Sequence, residues 1–123
     1  MDCFEHQTLD PATGRSIHAE VTLAGDDIVI VVTGGSRPHV GSVVLAQPSD
    51  QGRGAVSCSV LTIPPHKEEA VARPIAEAVC KTSAQVTVVT AGIHEDRLDT
   101  EGVRIYLDLA EKMAAELAER LRR

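Results

Sequence analysis

Three histidines lie in three separate loop segments, each close to glycine or to a basic residue. They are His39, His66 and His94, with Arg37 two residues before the first and Lys67 directly after the second. Imidazole, guanidinium and ammonium groups all donate hydrogen bonds to phosphate, and three neutral imidazoles can also bind a metal ion. The two basic residues favour an anion, because they would repel a bare cation.

Glycines lie beside two of these histidines. A glycine can let the backbone approach a ligand closely, or it can supply a positive φ angle in a turn around Pro38. Both interpretations fit, and the convergence of the loops supports a binding role. The candidate glycines are Gly34, Gly35, Gly41 and Gly92.

The apolar pattern defines the elements that must position these loops. Its first half alternates with the period of strands, and its second half has the order strand, helix, strand, helix. The predicted strands are residues 3–9, 15–24, 27–33, 42–47, 55–63 and 85–91, and the predicted helices are residues 67–82 and 100–122. A two-residue turn at Gly25-Asp26 predicts the register of the first long hairpin. The predicted partners are Leu23 with Ile28, Val21 with Ile30 and Ala19 with Val32.

Strand direction predicts that the histidine loops meet. If the strand over 15–24 runs up, its hairpin partner runs down, and alternating short connections send the strand over 55–63 down as well. The following strand–helix–strand unit keeps the last strand in the same direction. Residues 34–41, 64–67 and 92–96 then leave one end of the sheet. The last two lead into helix N-termini, which favour anions.

The element order predicts a two-layer α/β sandwich. A mixed sheet of five to six strands would carry two helices from the C-terminal half on one face, in a single domain over residues 1–123. The strand over 28–33 is apolar on both faces, because Val29 and Val31 alternate with its other apolar residues. Two helices cover only one face, so we expect the second face to meet another subunit, in a homodimer or a larger ring.

Both helices raise specific expectations. Pro74 lies inside the first, so that helix either kinks there or begins near Arg73. Asp99 or Thr100 is expected to cap the second. The predicted buried stripe of the second helix is Val103, Tyr106, Leu107, Ala110, Met113, Ala114, Leu117 and Leu121. His6 and His18 are predicted to be surface residues of the first hairpin, and Cys58 and Cys80 to be small core residues.

Composition narrows the classes of function. The chain has 123 residues, a net charge of −6 and 2% aromatic residues, so it lacks the basic surface and stacking platforms of a nucleic-acid-binding protein. No apolar run is long enough to span a membrane, and the first residues do not resemble a signal peptide. Three cysteines cannot form a disulfide framework, so we expect a reducing cytoplasm.

Several stretches together carry a family resemblance. They are GGSRPHVGSVVLA over 34–46, SCSVL over 57–61, PHKEE over 65–69 and AGIH over 91–94. In this order they resemble the LpdD-like prenylated-flavin chaperones, over residues 16–105. The resemblance implies a non-enzymatic protein that binds prenylated FMN, or FMN, and assists its delivery to, or maturation for, a UbiD-type decarboxylase. The cofactor-binding positions are then Gly34, Gly35, Arg37, His39, Gly41, His66, Lys67, Gly92 and His94.

Two other functions remain open from the residues alone. One is a metal-dependent enzyme, in which His39, His66 and His94 bind the ion and Glu95 acts as general base on metal-bound water. The other is an assembly factor without a ligand, which would use its helices or its sheet edge as a docking surface. Such a factor does not need histidines and basic residues at one end of the sheet.

Overall fold

The computed structural model describes residues 2–49, 54–64 and 68–123, and it confirms the two-layer α/β architecture. Six strands form one mixed sheet with the spatial order β1-β2-β3-β6-β4-β5. The strands are β1 Cys3–Leu9, β2 Ser16–Ala24, β3 Asp27–Gly35, β4 Ser42–Pro48, β5 Val56–Thr62 and β6 Thr87–His94. The helices are α1 Glu69–Ser83 and α2 Thr100–Arg120.

The β2–β3 hairpin has the predicted register. Leu23 pairs with Ile28, and the two further predicted pairs follow along the same ladder. The later strand order is not sequential, because β6 inserts between β3 and β4, parallel to β3 and antiparallel to β4. β6 therefore has the predicted direction, but it does not lie beside β5.

The core lies between one sheet face and the two helices. Ile17, Ile30 and Val89 on the sheet and Ile75 and Met113 on the helices are all fully buried. On the opposite face, here called the open face, the central side chains are only half-buried, and no described element covers them. These side chains are Val29, Val31, Val43, Leu45 and Val88. None of the described helices is long and apolar enough to cross a membrane.

Helix α1 begins at Glu69 and continues through Pro74, so the alternative start near Arg73 is wrong. Asp99 caps α2 by accepting a hydrogen bond from the Gly102 N–H at 2.8 Å. The two helices meet at their C-terminal ends, where the Thr82 hydroxyl donates to the Ala118 carbonyl at 3.1 Å.

The predicted stripe of α2 is wrong at Val103 and Leu107, which are 43% and 37% exposed. The other six predicted residues are buried, and Gly102, Leu109 and Ala118 are buried although they lie outside the predicted stripe.

The two histidines of the first hairpin face opposite sides of the sheet. His6 was expected at the surface, but its side chain is only 15% exposed and Nε2 lies 3.0 Å from Glu116 Oε1. Side chains alternate between the two faces of β1, and His6 lies on the face that α2 covers. His18 lies on the open face with its side chain 39% exposed, in agreement with the predicted surface position, and its Nε2 lies 3.3 Å from Glu5 Oε1.

Candidate anion-binding rim

The carboxyl ends of β3 and β6 lie side by side, and the surface that they form with the following loops is here called the rim. Gly35 is the register partner of His94. The Ser36 N–H donates to the His94 carbonyl at 2.7 Å, and the Gly41 N–H donates to the Ala91 carbonyl at 2.9 Å. The loop 36–41 is therefore tied across the end of β6, and two of the three predicted histidine loops meet there.

Side chains of both loops touch at Arg37 and His94. Arg37 Nη2 lies 2.6 Å from His94 Nε2, and the same nitrogen lies 2.9 Å from Asp96 Oδ1. A guanidinium only donates and a carboxylate only accepts, so one imidazole nitrogen serves one of these contacts at a time. Neutral His94 accepts from Arg37, whereas His94 protonated at Nε2 donates to Asp96.

His39 has an acceptor at each ring nitrogen. Nδ1 lies 3.0 Å from the Arg37 carbonyl, and Nε2 lies 3.2 Å from Glu68 Oε2. Both contacts are satisfied together when both nitrogens carry protons, which makes the ring a cation. Binding a metal through either nitrogen would displace one of these acceptors.

Two predicted glycines are required by the approach of neighbouring backbone. Gly35 has a φ of +74°, and a Cβ there would overlap the His94 carbonyl. A Cβ on Gly92 would overlap the carbonyl oxygen of His39. These glycines allow the rim to assemble, since each lets one loop lie directly against another.

The other two predicted glycines have different surroundings. A Cβ on Gly34 would meet Ile17 Cγ2 and the Ser16 carbonyl at 3.2 Å each. The Gly41 N–H is used in its bond to Ala91, so this group serves the loop anchor. His66 and Lys67, the remaining predicted binding residues, lie outside the described residues.

A partly buried network under the rim was not predicted from the sequence. Arg15 Nε and Nη2 donate to the two Glu95 oxygens at 3.0 and 2.9 Å. The Tyr106 hydroxyl donates to Glu95 Oε1 at 2.8 Å. The three residues tie the β1–β2 turn, the β6–α2 loop and α2 together. The only usable signal was that Arg15 follows a turn at the same end of the sheet.

This network sets the protonation of Glu95. The hydrogen bonds from Arg15 and then from Tyr106 lower the pKa of the Glu95 carboxyl. Burial, followed by the hydrogen bond to Glu95, raises the pKa of Tyr106 to about 12. A carboxylate held by two donors is a weak general base, so the geometry does not favour the metal-enzyme role of Glu95.

Two further features lie away from the rim. Among the described parts of the chain, Glu5, His18 and Glu20 have ligand atoms within 4.8 Å of one another, and they lie on the exposed end of the open face. A groove of about 930 Å³ runs between β5 and α1, from Thr62 and Glu69 at one end to Gly54 and Lys81 at the other. The groove is a feature of the sheet edge.

The fold and the rim are those of a small α/β protein that presents polar loops at one end of its sheet. Residues 12–122 match the family model described as "Prenylated flavin chaperone LpdD-like domain". The chain belongs to this family of chaperones, which confirms the family resemblance of the sequence.

Two known proteins illustrate the relationship. Protein LpdD of Lactiplantibacillus plantarum is 28% identical over 95 residues, which are 69% of this chain and 62% of that protein's length. The second is a chain from the crystal structure of a novel chaperone complex for yeast 20S proteasome assembly. It superimposes with a TM-score of 0.64 at 19% identity, over 98% of this chain and 99% of that one. This second likeness shows the fold alone.

Proposed function

We propose that the chain binds prenylated FMN, or FMN, by its phosphate at the rim and passes it to a UbiD-type decarboxylase without chemical turnover. The observation that carries the proposal is the junction of Arg37 with His94, which places a guanidinium and an imidazole at the adjoining ends of β3 and β6. Membership of a prenylated-flavin chaperone family supports the choice of ligand.

The donor set at the rim fits a phosphate. Arg37 has no carboxylate partner among the described residues, and its guanidinium offers a planar fork of N–H groups to a dianion. Cationic His39 would add a positive charge beside the anion, because both of its N–H groups already donate to the Arg37 carbonyl and Glu68. Protonated His94 would add its Nδ1–H as a donor, since its Nε2–H donates to Asp96. These positive charges balance Glu68 and Asp96, which would otherwise repel the anion. His66 and Lys67 keep their predicted roles as additional donors.

An apolar shelf beside the rim suits the ring system of a flavin. The Ile63 N–H donates to the Gly41 carbonyl at 2.9 Å, so residue 63 runs alongside the His39 loop. Ile63 is 51% exposed, and Val40 in that loop is 46% exposed. Aliphatic side chains such as these would contact an isoalloxazine without an aromatic platform, and covering them would be favourable.

Calorimetric titration tests the phosphate contact. We expect FMN to bind more tightly than riboflavin, and Arg37→Ala to weaken FMN by about 1.5–3 kcal/mol, since it removes charge-assisted hydrogen bonds. Arg122→Ala is the matched control, because it removes the same charge just beyond the C-terminal end of α2. Equal binding of riboflavin and FMN, or equal effects of both variants, would contradict the proposal.

Purification from cells that make prenylated FMN, with absorbance and mass spectra, identifies the ligand.

The proposal also covers assembly and location. The half-buried open face supports a homodimer in which two sheets meet through Val29, Val31 and their neighbours, since water-exposed apolar surface of this kind is costly. Cys3, Cys58 and Cys80 are all free thiols, which suits the reducing cytoplasm.

A further inference from the structure

Strand β5 is an edge strand without the usual protection. It ends the sheet, and within the described ranges no strand pairs with its outer side. Its sequence, VSCSVLT, contains no charge and no proline. Edge strands normally carry such residues, because a free row of N–H and C=O groups pairs readily with another chain. The opposite edge, β1, carries Glu5 and His6, and Arg120 donates to the Glu5 carbonyl at 3.3 Å.

The outward backbone groups of β5 can be assigned from its pairing with β4. Ile63 donates to the Gly41 carbonyl and Ser49 donates to the Ala55 carbonyl, each at 2.9 Å. Hydrogen-bonded pairs of an antiparallel ladder recur at every second residue. The even-numbered residues of β5 therefore direct their N–H and C=O groups away from β4. These residues are Val56, Cys58, Val60 and Thr62.

Helix α1 carries a row of alternating charges above this edge. Glu69, Arg73, Glu77 and Lys81 recur every four residues and line the groove beside β5. Arg73 lies 2.7 Å from Glu69 and 3.9 Å from Glu77 along the row. When the row is followed from its other end, each position carries the opposite charge. A second α1 that runs antiparallel across a two-fold axis would thus place Lys81 opposite Glu69 and Glu77 opposite Arg73.

The dimensions agree with such a pairing. Within the sheet, α1 packs most closely on β4, so its axis lies about one strand spacing inward from the edge and leaves the groove above β5. Neighbouring strands are about 4.8 Å apart, so two paired β5 strands would separate the helices by about 14 Å. Helices in direct contact are about 8–10 Å apart, and the additional space suits long charged side chains.

We propose that β5 pairs edge to edge, antiparallel, with β5 of a second copy of this chain, and that the two α1 rows meet across the two-fold axis. The self-complementary row selects a second copy over an unrelated extended peptide. This contact uses a different surface from the open face, so one copy can take part in both contacts at once.

Charge variants give a test that does not depend on disrupting the fold. Arg73→Glu alone and Glu77→Arg alone each place like charges across the axis, whereas a mixture of the two proteins restores opposite charges at both positions. We expect each variant alone to lose one association step, with a dissociation constant at least about tenfold higher. We expect the mixture of the two variants to regain that association step. The measurements are sedimentation velocity and native mass spectrometry at several salt concentrations. A mixture that associates no better than its components would overturn the proposal.

Backbone and thiol variants test the strand contact itself. Val60→Pro removes an outward N–H that β4 does not use, and edge strands tolerate proline, so we expect loss of the same association step. Val60→Ala keeps the N–H and is the matched control, with circular dichroism to verify the fold. Cys58 is a partly buried thiol near the middle of β5, so a short bis-maleimide should link two copies in a Cys3→Ser background. Absence of that link, or unchanged assembly in Val60→Pro, would contradict edge pairing.

Discussion

Replacing Gly92 by alanine tests how the rim is assembled. Gly92 has no positive φ, so alanine can adopt its backbone conformation. Such a replacement ordinarily stabilises a folded chain by about 0.4–1 kcal/mol, because it lowers the conformational entropy of the unfolded state. Here its Cβ would overlap the carbonyl oxygen of His39, so the loop over 36–41 must move away. The move strains two anchoring hydrogen bonds, from Ser36 to His94 at 2.7 Å and from Gly41 to Ala91 at 2.9 Å.

The expected net effect is a loss of stability. Two hydrogen bonds at about 1 kcal/mol each, less the unfolded-state gain, leave about 1–2 kcal/mol of destabilisation. Urea unfolding measures this loss directly, and a fall of about 4 °C per kcal/mol in Tm should accompany it. FMN binding should weaken too, since His39 moves away from His94. A Gly92→Ala protein that is as stable as the parent and binds FMN equally well would refute the close-approach argument.

Three further predictions concern protonation and assembly. Arg15 lowers the folded-state pKa of Glu95, so their interaction stabilises the fold above the ordinary carboxyl pKa, and this stabilisation is lost as pH falls through the lowered pKa. Glu95→Gln should reduce this loss of stability at acidic pH in urea titrations, and an unchanged pH profile would contradict the prediction. If His39 and His94 bind phosphate directly, the bound anion favours protonated imidazoles, so FMN affinity should be higher at mildly acidic than at mildly alkaline pH. FMN affinity that chelator removes and added metal restores would instead show that the histidines are metal ligands. Val31→Glu on the open face should weaken homodimerisation while the monomer stays folded, because the carboxylate faces water there, and unchanged sedimentation would refute that interface.

The local elements of this protein were determined by its sequence. The alternation from Ser16 to Ala24 and the two-residue turn at Gly25-Asp26 specify one hairpin register, because a slip by one residue would turn every apolar side chain to the wrong face. Strand direction also follows from short connections, and it correctly predicted that the loops after β3 and β6 share one end. These inferences depend on neighbours in the chain, so a pattern of residues is sufficient.

Tertiary structure alone decided how those loops are joined. The insertion of β6 between β3 and β4 brings Gly92 against His39, and it follows from the packing of whole elements. Arg15 and Glu95 are 80 positions apart in the sequence, so no local pattern of residues predicts that they pair. Val103 is exposed for a related reason: helical periodicity defines an apolar side, but the elements packed against the helix decide how much of that side is covered.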